Sequence, residues 1–140
     1  MAGVLLDTTV LIDLLRGRTG AAHRISRLSR VGDEPYVCAI NVEEVTRGLR
    51  PEEASSAQML FSGLLAIPLG VAEGTRAGQW RRDFASRGIT LAQADCLVAA
   101  AALAIGGRVA TGNPRDFPMR EVTVEHWPTG ESAPARQPDQ

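Results

Sequence analysis

The 140-residue sequence contains no lysine: all 15 of its basic residues are arginines. That absence excludes whole reaction classes. A phosphate-binding P-loop needs a lysine on the phosphates, and Schiff-base or pyridoxal chemistry needs a lysine amine. Folds that phosphorylate an aspartate also place a lysine beside it. Cysteine and histidine are scarce too. Cys38, Cys96, His23 and His126 are too few for a Cys/His zinc site at the usual spacings. Both cysteines lie in apolar surroundings and read as small buried hydrophobes. Met1-Ala2-Gly3 runs straight into a short apolar strand with no secretory signal. The longest apolar run, Cys96 to Ile105, is too short to span a bilayer. These features predict a soluble cytoplasmic protein with no membrane partner. The net charge of −1 by itself favours no polyanion.

What is present is ordinary for a globular chain. Hydrophobic residues make up 44% of it, enough for one domain with a buried core. Val4-Leu5-Leu6, Tyr36 to Ala39, Ala66 to Pro68, Arg108 to Thr111 and Val122 to Val124 read as short strands. Helical patterns lie between the first four. One is capped by Thr8 or Thr9 and stopped by Gly17, and one spans Ala21 to Val31 before a turn at Gly32 to Pro35. Asn41 caps a helix through Leu49. Pro51-Glu52-Glu53 starts another, continued by Met59 to Leu65. Val71 to Arg87 is a polar helix, and Thr90 caps the most regular one, which runs to Ile105. Alternation of this kind predicts an α/β/α sandwich with a mostly parallel sheet of four to five strands. The domain spans residues 1–127, and the Pro-, Gly-, Ser- and Gln-rich residues 128–140 are expected to be a disordered tail.

In such folds ligands bind at the carboxyl ends of the strands, and acids gather there. Asp7 follows the first strand directly and either projects into the crevice or caps the next helix. Asp95 lies in a stripe of Leu91, Asp95, Val98, Ala102 and Ile105, which is a buried helical face. A carboxylate there needs a metal, an arginine or a hydrogen-bond network to offset its burial. Glu44 comes three residues after Asn41, so a capping box competes with a site role. Its neighbour Glu43 points about 100° away and reads as the more solvated of the two. Asn113 and Asp116 follow the fourth strand in a segment that is otherwise an ordinary turn. Convergent carboxylates repel unless a cation holds them, and oxygen ligands without His or Cys favour Mg²⁺ or Mn²⁺. Set aside those four acids and the net charge of −1 becomes +3. Five arginines with no acid between Leu14 and Gly32 (Arg16, Arg18, Arg24, Arg27 and Arg30) are either a solvated helix surface or an anion-facing patch.

The motifs that carry these acids are Leu5-Leu6-Asp7-Thr8-Thr9-Val10-Leu11-Ile12, Glu44-Val45-Thr46-Arg47-Gly48-Leu49, Ala94-Asp95-Cys96-Leu97-Val98-Ala99-Ala100, and Thr111-Gly112-Asn113 with Asp116-Phe117. In order and spacing, from Val4 to Val124, they resemble the PIN-domain family. The compact size resembles its VapC-type members, the ribonuclease toxins of bacterial toxin–antitoxin pairs. The resemblance implies a metal-dependent endoribonuclease. Asp7, Glu44 and Asp95 take the three core acid positions, with Asp7 and Asp95 as direct metal ligands. Asp116 matches the fourth acid, and many members carry an acid where this chain has Asn113. Thr8, Thr111 and Asn113 resemble residues that orient carboxylates or bound water. The implied reaction is in-line attack of water on an RNA phosphate, leaving 5′-phosphate and 3′-hydroxyl ends, with Glu44 positioning or deprotonating the water. Arg16, Arg18, Arg81, Arg82 and Arg115 are candidate phosphate contacts. The family further implies a homodimer and a cognate antitoxin that occludes the acidic pocket.

Rival readings fare worse. An aspartate-nucleophile phosphotransferase needs a second aspartate two residues after the first, where this chain has Thr9, and a lysine. A metal-independent ribonuclease requires His23 and His126 to meet, with no motif to support it. A Ser-His-Asp hydrolase lacks its Gly-x-Ser-x-Gly elbow. The non-enzyme alternative is an inactive PIN-like module that binds RNA or protein, for which a bare acid cluster has no use.

Overall fold

A computed structural model describes residues 2–132. Five strands form one sheet: β1 (Gly3–Leu6), β2 (Glu34–Cys38), β3 (Leu65–Ile67), β4 (Arg108–Thr111) and β5 (Thr123–His126). Their order is β3-β2-β1-β4-β5, and every neighbouring pair is parallel. Six helices accompany them: α1 (Thr8–Leu15), α2 (Thr19–Val31), α3 (Ala39–Arg47), α4 (Ala54–Ser62), α5 (Val71–Ala85) and α6 (Gln93–Ala104).

The central strand shows why this chain layers as it does. Val4, Leu5 and Leu6 are all fully buried, as a strand covered on both faces must be. Successive side chains alternate between faces. Leu5 and Val109 join a core built on α5 and α6, with Trp80, Phe84, Cys96 and Ala99. Val4, Leu6 and Ala110 join a second core with Val10, Leu11, Leu28, Val45 and Trp127, built on α1, α2 and α3. The result is the expected α/β/α sandwich, here with an entirely parallel sheet. Both cysteines are free and fully buried, as their surroundings implied. None of the described helices is long and apolar enough to cross a membrane.

Several boundaries differ from the sequence reading. Pro35 lies inside β2 rather than in a turn. It pairs with Val4 of β1, while β3 starts its pairing one residue later, at Tyr36. The missing proline N–H therefore interrupts no bond on the β3 side. Helix α3 begins at Ala39 with Cys38 as its cap, so Asn41 is the third helical residue and not the cap. Asp7 itself, not Thr8 or Thr9, occupies the cap position of α1. Leu91 is drawn into the core and keeps the chain extended through Ala92, so α6 starts at Gln93 and Thr90 does not cap it. Leu65 belongs to β3, in register with Tyr36, so α4 stops at Ser62. The first residues after 127 lie along the molecule: the Gly130 amide donates to Asp13 and the Gly20 amide to the Glu131 carbonyl. Residues 133–140 of the expected tail lie outside the described residues.

From β1 the chain moves outward to β2 and β3, then crosses back to place β4 on the other side of β1. The connections leaving β1 and β4 diverge at this switch point, and in open parallel sheets ligands bind there, at the carboxyl ends of the strands. Asp7 follows β1 there, and Thr111 ends β4.

Candidate active site

Asp7 stands between β1 and α1, at the switch point. It is 7% exposed, and its amide donates to the Ala110 carbonyl of β4 at 2.9 Å. Although it stands at the cap position of α1, its carboxylate makes no capping hydrogen bond to that helix. It accepts instead from the Thr111 hydroxyl at 2.8 Å and from the Asn41 amide nitrogen at 3.4 Å, one on each oxygen. The carboxylate is thus held chiefly by β4 and α3, with the Thr8 amide at the start of its own helix adding to them. Burial raises its pKa above the usual aspartate value. The Thr111 hydroxyl and the nearby Thr8 amide oppose that rise, and the charges of Glu44 and Asp116 add to it.

Glu44 is half-buried on α3, while Glu43 is exposed and pairs with Arg47 at 3.3 Å. The Glu44 carboxylate accepts from the Thr8 hydroxyl at 2.9 Å. It caps nothing, because Asn41 already makes the reciprocal contact at the start of α3, accepting from the Cys38 amide at 3.4 Å. Asp95 lies in the first turn of α6. Its pKa is pushed up to about 6, first by burial and then by the charges of Asp116, Asp7 and Glu44. Asp116 is exposed in a single 3-10 turn, Pro114–Asp116, and its charge reaches both Asp7 and Asp95. The four acids thus share one field. Asn113 is exposed, and its backbone amide donates to the Thr111 hydroxyl at 3.0 Å.

Thr111 therefore donates to Asp7 while accepting from Asn113, which couples the end of β4 to the end of β1. Thr8 plays the matching part for Glu44. Sequence reasoning missed Asn41, which is fully buried. Its amide nitrogen reaches both Asp7 and Thr8, each at 3.4 Å. Its position three residues before Glu44 was the available signal, but that spacing equally suits a helix cap. Thr9 was also missed, and its hydroxyl accepts from the Gly112 amide at 2.9 Å.

The arginines stand apart from the acids. Arg16 pairs with Glu53, Arg24 with Glu131, Arg47 with Glu43, and Arg108 with both Asp33 and Glu125. Among the described residues no arginine forms an ion pair with Asp7, Glu44, Asp95 or Asp116, so a salt bridge does not account for Asp95. The basic run of α2 is not a uniform anion-facing patch. Arg24 and Arg27 border a small cavity with Arg108, the first residue of β4, so they lie toward the end of that strand opposite Thr111. Arg81 is closer to the acids: its Nε donates to the Leu91 carbonyl at 3.1 Å, just before α6. Arg18, Arg82 and Arg115 are exposed.

Among the described residues no group of three or more His, Cys, Asp or Glu side chains stands arranged to hold a metal ion. Every candidate ligand is a carboxylate oxygen, the kind that hard divalent cations take up. Each Asp7 oxygen accepts one side-chain hydrogen bond, and an ionised carboxylate offers about four acceptor positions in all. Acceptor capacity therefore remains for a cation, and the residues fit one.

The comparisons identify the family and the fold. A model of the PIN domain family matches residues 4–122. Ribonuclease VapC19 from two strains of Mycobacterium tuberculosis is 29% identical over 115 residues, covering 82% of this chain and 92% of the relative. Solved structures share the fold. VapBC2 from Rickettsia felis, bound to a DNA fragment from its promoter, gives a TM-score of 0.81 at 17% identity, covering 89% of this chain and 98% of that one. DNA-bound VapBC from Salmonella typhimurium gives 0.79 at 22% identity, covering 91% and 99%. With the family match spanning β1 through the turn before β5, this chain belongs to the PIN domain family.

Proposed function

We propose that the chain is a Mg²⁺- or Mn²⁺-dependent endoribonuclease and the toxin of a toxin–antitoxin pair. The observation that carries this reading is the set of four acids sharing one field at the switch point, with no arginine among the described residues paired to any of them. An uncompensated cluster of this kind is costly to fold and useless for gripping RNA by itself. It becomes useful once a divalent cation neutralises it. The relatives named above, a ribonuclease and VapBC assemblies, support the same reading.

Asp7 and Asp95 are the direct ligands in this proposal, with Glu44 and Asp116 completing the set. A cation bound there supplies Lewis acidity toward the scissile phosphate and makes a water nucleophilic near neutral pH. Thr111 and Asn41 fix the Asp7 carboxylate from two sides, so its oxygens do not reorganise as charge develops. Thr8 holds one Glu44 oxygen, leaving the other to accept the proton of the attacking water. The phosphodiester is cut on the 3′-oxygen side, giving 5′-phosphate and 3′-hydroxyl ends. Arg81, held to the Leu91 carbonyl just before α6, and Arg115, next to Asp116, are the arginines this proposal sets against flanking phosphates, ahead of Arg16, Arg18 and Arg82. The proposal includes cytoplasmic action, a homodimer, and inhibition by an antitoxin that covers the acids.

Inducing the chain alone in bacterial cells and mapping new RNA ends tests the activity and identifies the substrate together. The expected result is growth arrest with new 5′-phosphate ends, abolished by Asp7→Asn and Asp95→Asn. If either variant, correctly folded, still cleaves and arrests growth as the parent does, the acid assignment is wrong. Purified protein that cleaves nothing with Mg²⁺ or Mn²⁺, yet binds RNA equally well in EDTA, would establish the inactive binding module instead.

A further inference from the structure

Residues 127–131 leave β5 and run as a strap from the carboxyl end of β4 to the junction of α1 and α2. At the β4 end, the Trp127 amide donates to the Thr111 carbonyl at 2.8 Å, and Thr129 lies so close over Gly112 that a Cβ there would collide with its hydroxyl. At the other end the Gly130 amide donates to Asp13 Oδ2 at 2.7 Å. The Gly20 amide donates to the Glu131 carbonyl at 2.9 Å, and Arg24 pairs with the Glu131 side chain at 2.7 Å. Gly20 is also closed to a side chain, because a Cβ would run into Glu131 backbone.

Asp13 is the unusual member. It is 7% exposed on α1, and among the described residues no arginine or histidine forms an ion pair with it. A carboxylate held that way needs a charge-assisted bond to offset its burial, and the strap's Gly130 amide supplies one. Under the strap lies the connection that ends β4. The Gly112 amide donates to Thr9, and the Asn113 amide to Thr111, which in turn donates to Asp7.

We infer that Asp13 is a positioning residue: by anchoring the strap it clamps the Gly112–Asp116 connection and, through Thr111, sets the place of the Asp7 carboxylate. This rests on the nuclease reading only for its effect on catalysis. The anchor touches neither the substrate nor the four acids and acts through the strap alone.

Three variants of the full chain test it. Asp13→Ala removes the anchor, while Asp13→Asn keeps an acceptor oxygen for the Gly130 amide. Gly20→Ala pushes the strap off its other end while favouring α2 by helix propensity. Amide hydrogen exchange reads the clamp without any activity. In Asp13→Ala and Gly20→Ala, exchange at Gly112 and Asn113 should quicken about tenfold or more, with Leu5 and Leu6 of β1 unchanged and Asp13→Asn close to the parent. RNA cleavage should lose kcat by a similar factor at unchanged KM. Protection at Gly112 and Asn113 within about twofold of the parent overturns the inference, as does equal loss of protection in β1, which reduces Asp13 to a general stability residue. If the parent cleaves no RNA, the nuclease reading fails, and the exchange data still decide on the clamp.

Discussion

Thr111 occupies a position where one hydroxyl serves two purposes, donating to Asp7 and accepting from the Asn113 amide. Valine has nearly the same shape without the hydroxyl, so Thr111→Val isolates those two bonds in a fully buried position. Loss of a group that orients a metal-ligating carboxylate typically costs about 10–100-fold in affinity or activity. Thr111→Val should weaken Mn²⁺ binding and RNA cleavage within that range while remaining folded, as titration and cleavage rates would show. Parent-like values for both would mean that Asp7 needs no orientation. Residue roles were unevenly legible in the sequence. Asp7 and Asp95 stood out because an acid after a buried strand, or within a buried helical stripe, conflicts with its surroundings. Asn41 did not, because a cap and a buried amide look alike at that spacing. Asp13 was invisible, since its partner Gly130 is 117 residues away.

At the scale of elements, the sheet carries its electrostatic repair at the end opposite the acids. Arg108 opens β4 and bridges Asp33, before β2, to Glu125 of β5 at 3.0 and 2.6 Å. It lowers the pKa of both acids, although for Asp33 the largest cause is the Ala2 amide and for Glu125 burial works against the shift. Hydrogen bonds to charged groups contribute about 1.5–3 kcal/mol each when well buried, and less when part-exposed. Arg108→Met should therefore lower the urea midpoint and leave RNA cleavage by the folded fraction unchanged. An unshifted midpoint would show that the two ion pairs contribute nothing. The strands themselves were legible as short apolar runs. Their order was not, because β4 takes its place beside β1 through contacts made across most of the chain. The exact helix starts were set by tertiary burial, as Leu91 shows by holding α6 back to Gln93.

For the molecule as a whole, the net charge of −1 conceals a cluster: four acids gather at the switch point, and among the described residues none of them is paired to an arginine. The folded chain binds protons at Asp7 and Asp95 more tightly than the unfolded chain does, because both pKa values are raised above 3.8. Protonation of these groups thus favours folding, and without metal the protein should gain stability as pH falls from about 7 through 6. Asp33 and Glu125 have lowered values, so their contribution persists through that window and is lost only at lower pH. A divalent cation competes with those protons. Mg²⁺ should therefore raise the melting temperature more at pH 7.5 than at pH 5.5. A Mg²⁺ response that grows on acidification would contradict the assignment of these carboxylates as ligands.

The central claim is that these acids become a nuclease site when a divalent cation joins them. The most direct measurement is RNA cleavage by the purified chain with Mg²⁺ or Mn²⁺ and with EDTA, beside Asp95→Asn under the same conditions. The account predicts 5′-phosphate products with metal, none in EDTA, and a loss of at least about 100-fold in Asp95→Asn. Cleavage that persists in EDTA, or that survives in a folded Asp95→Asn protein, would contradict it.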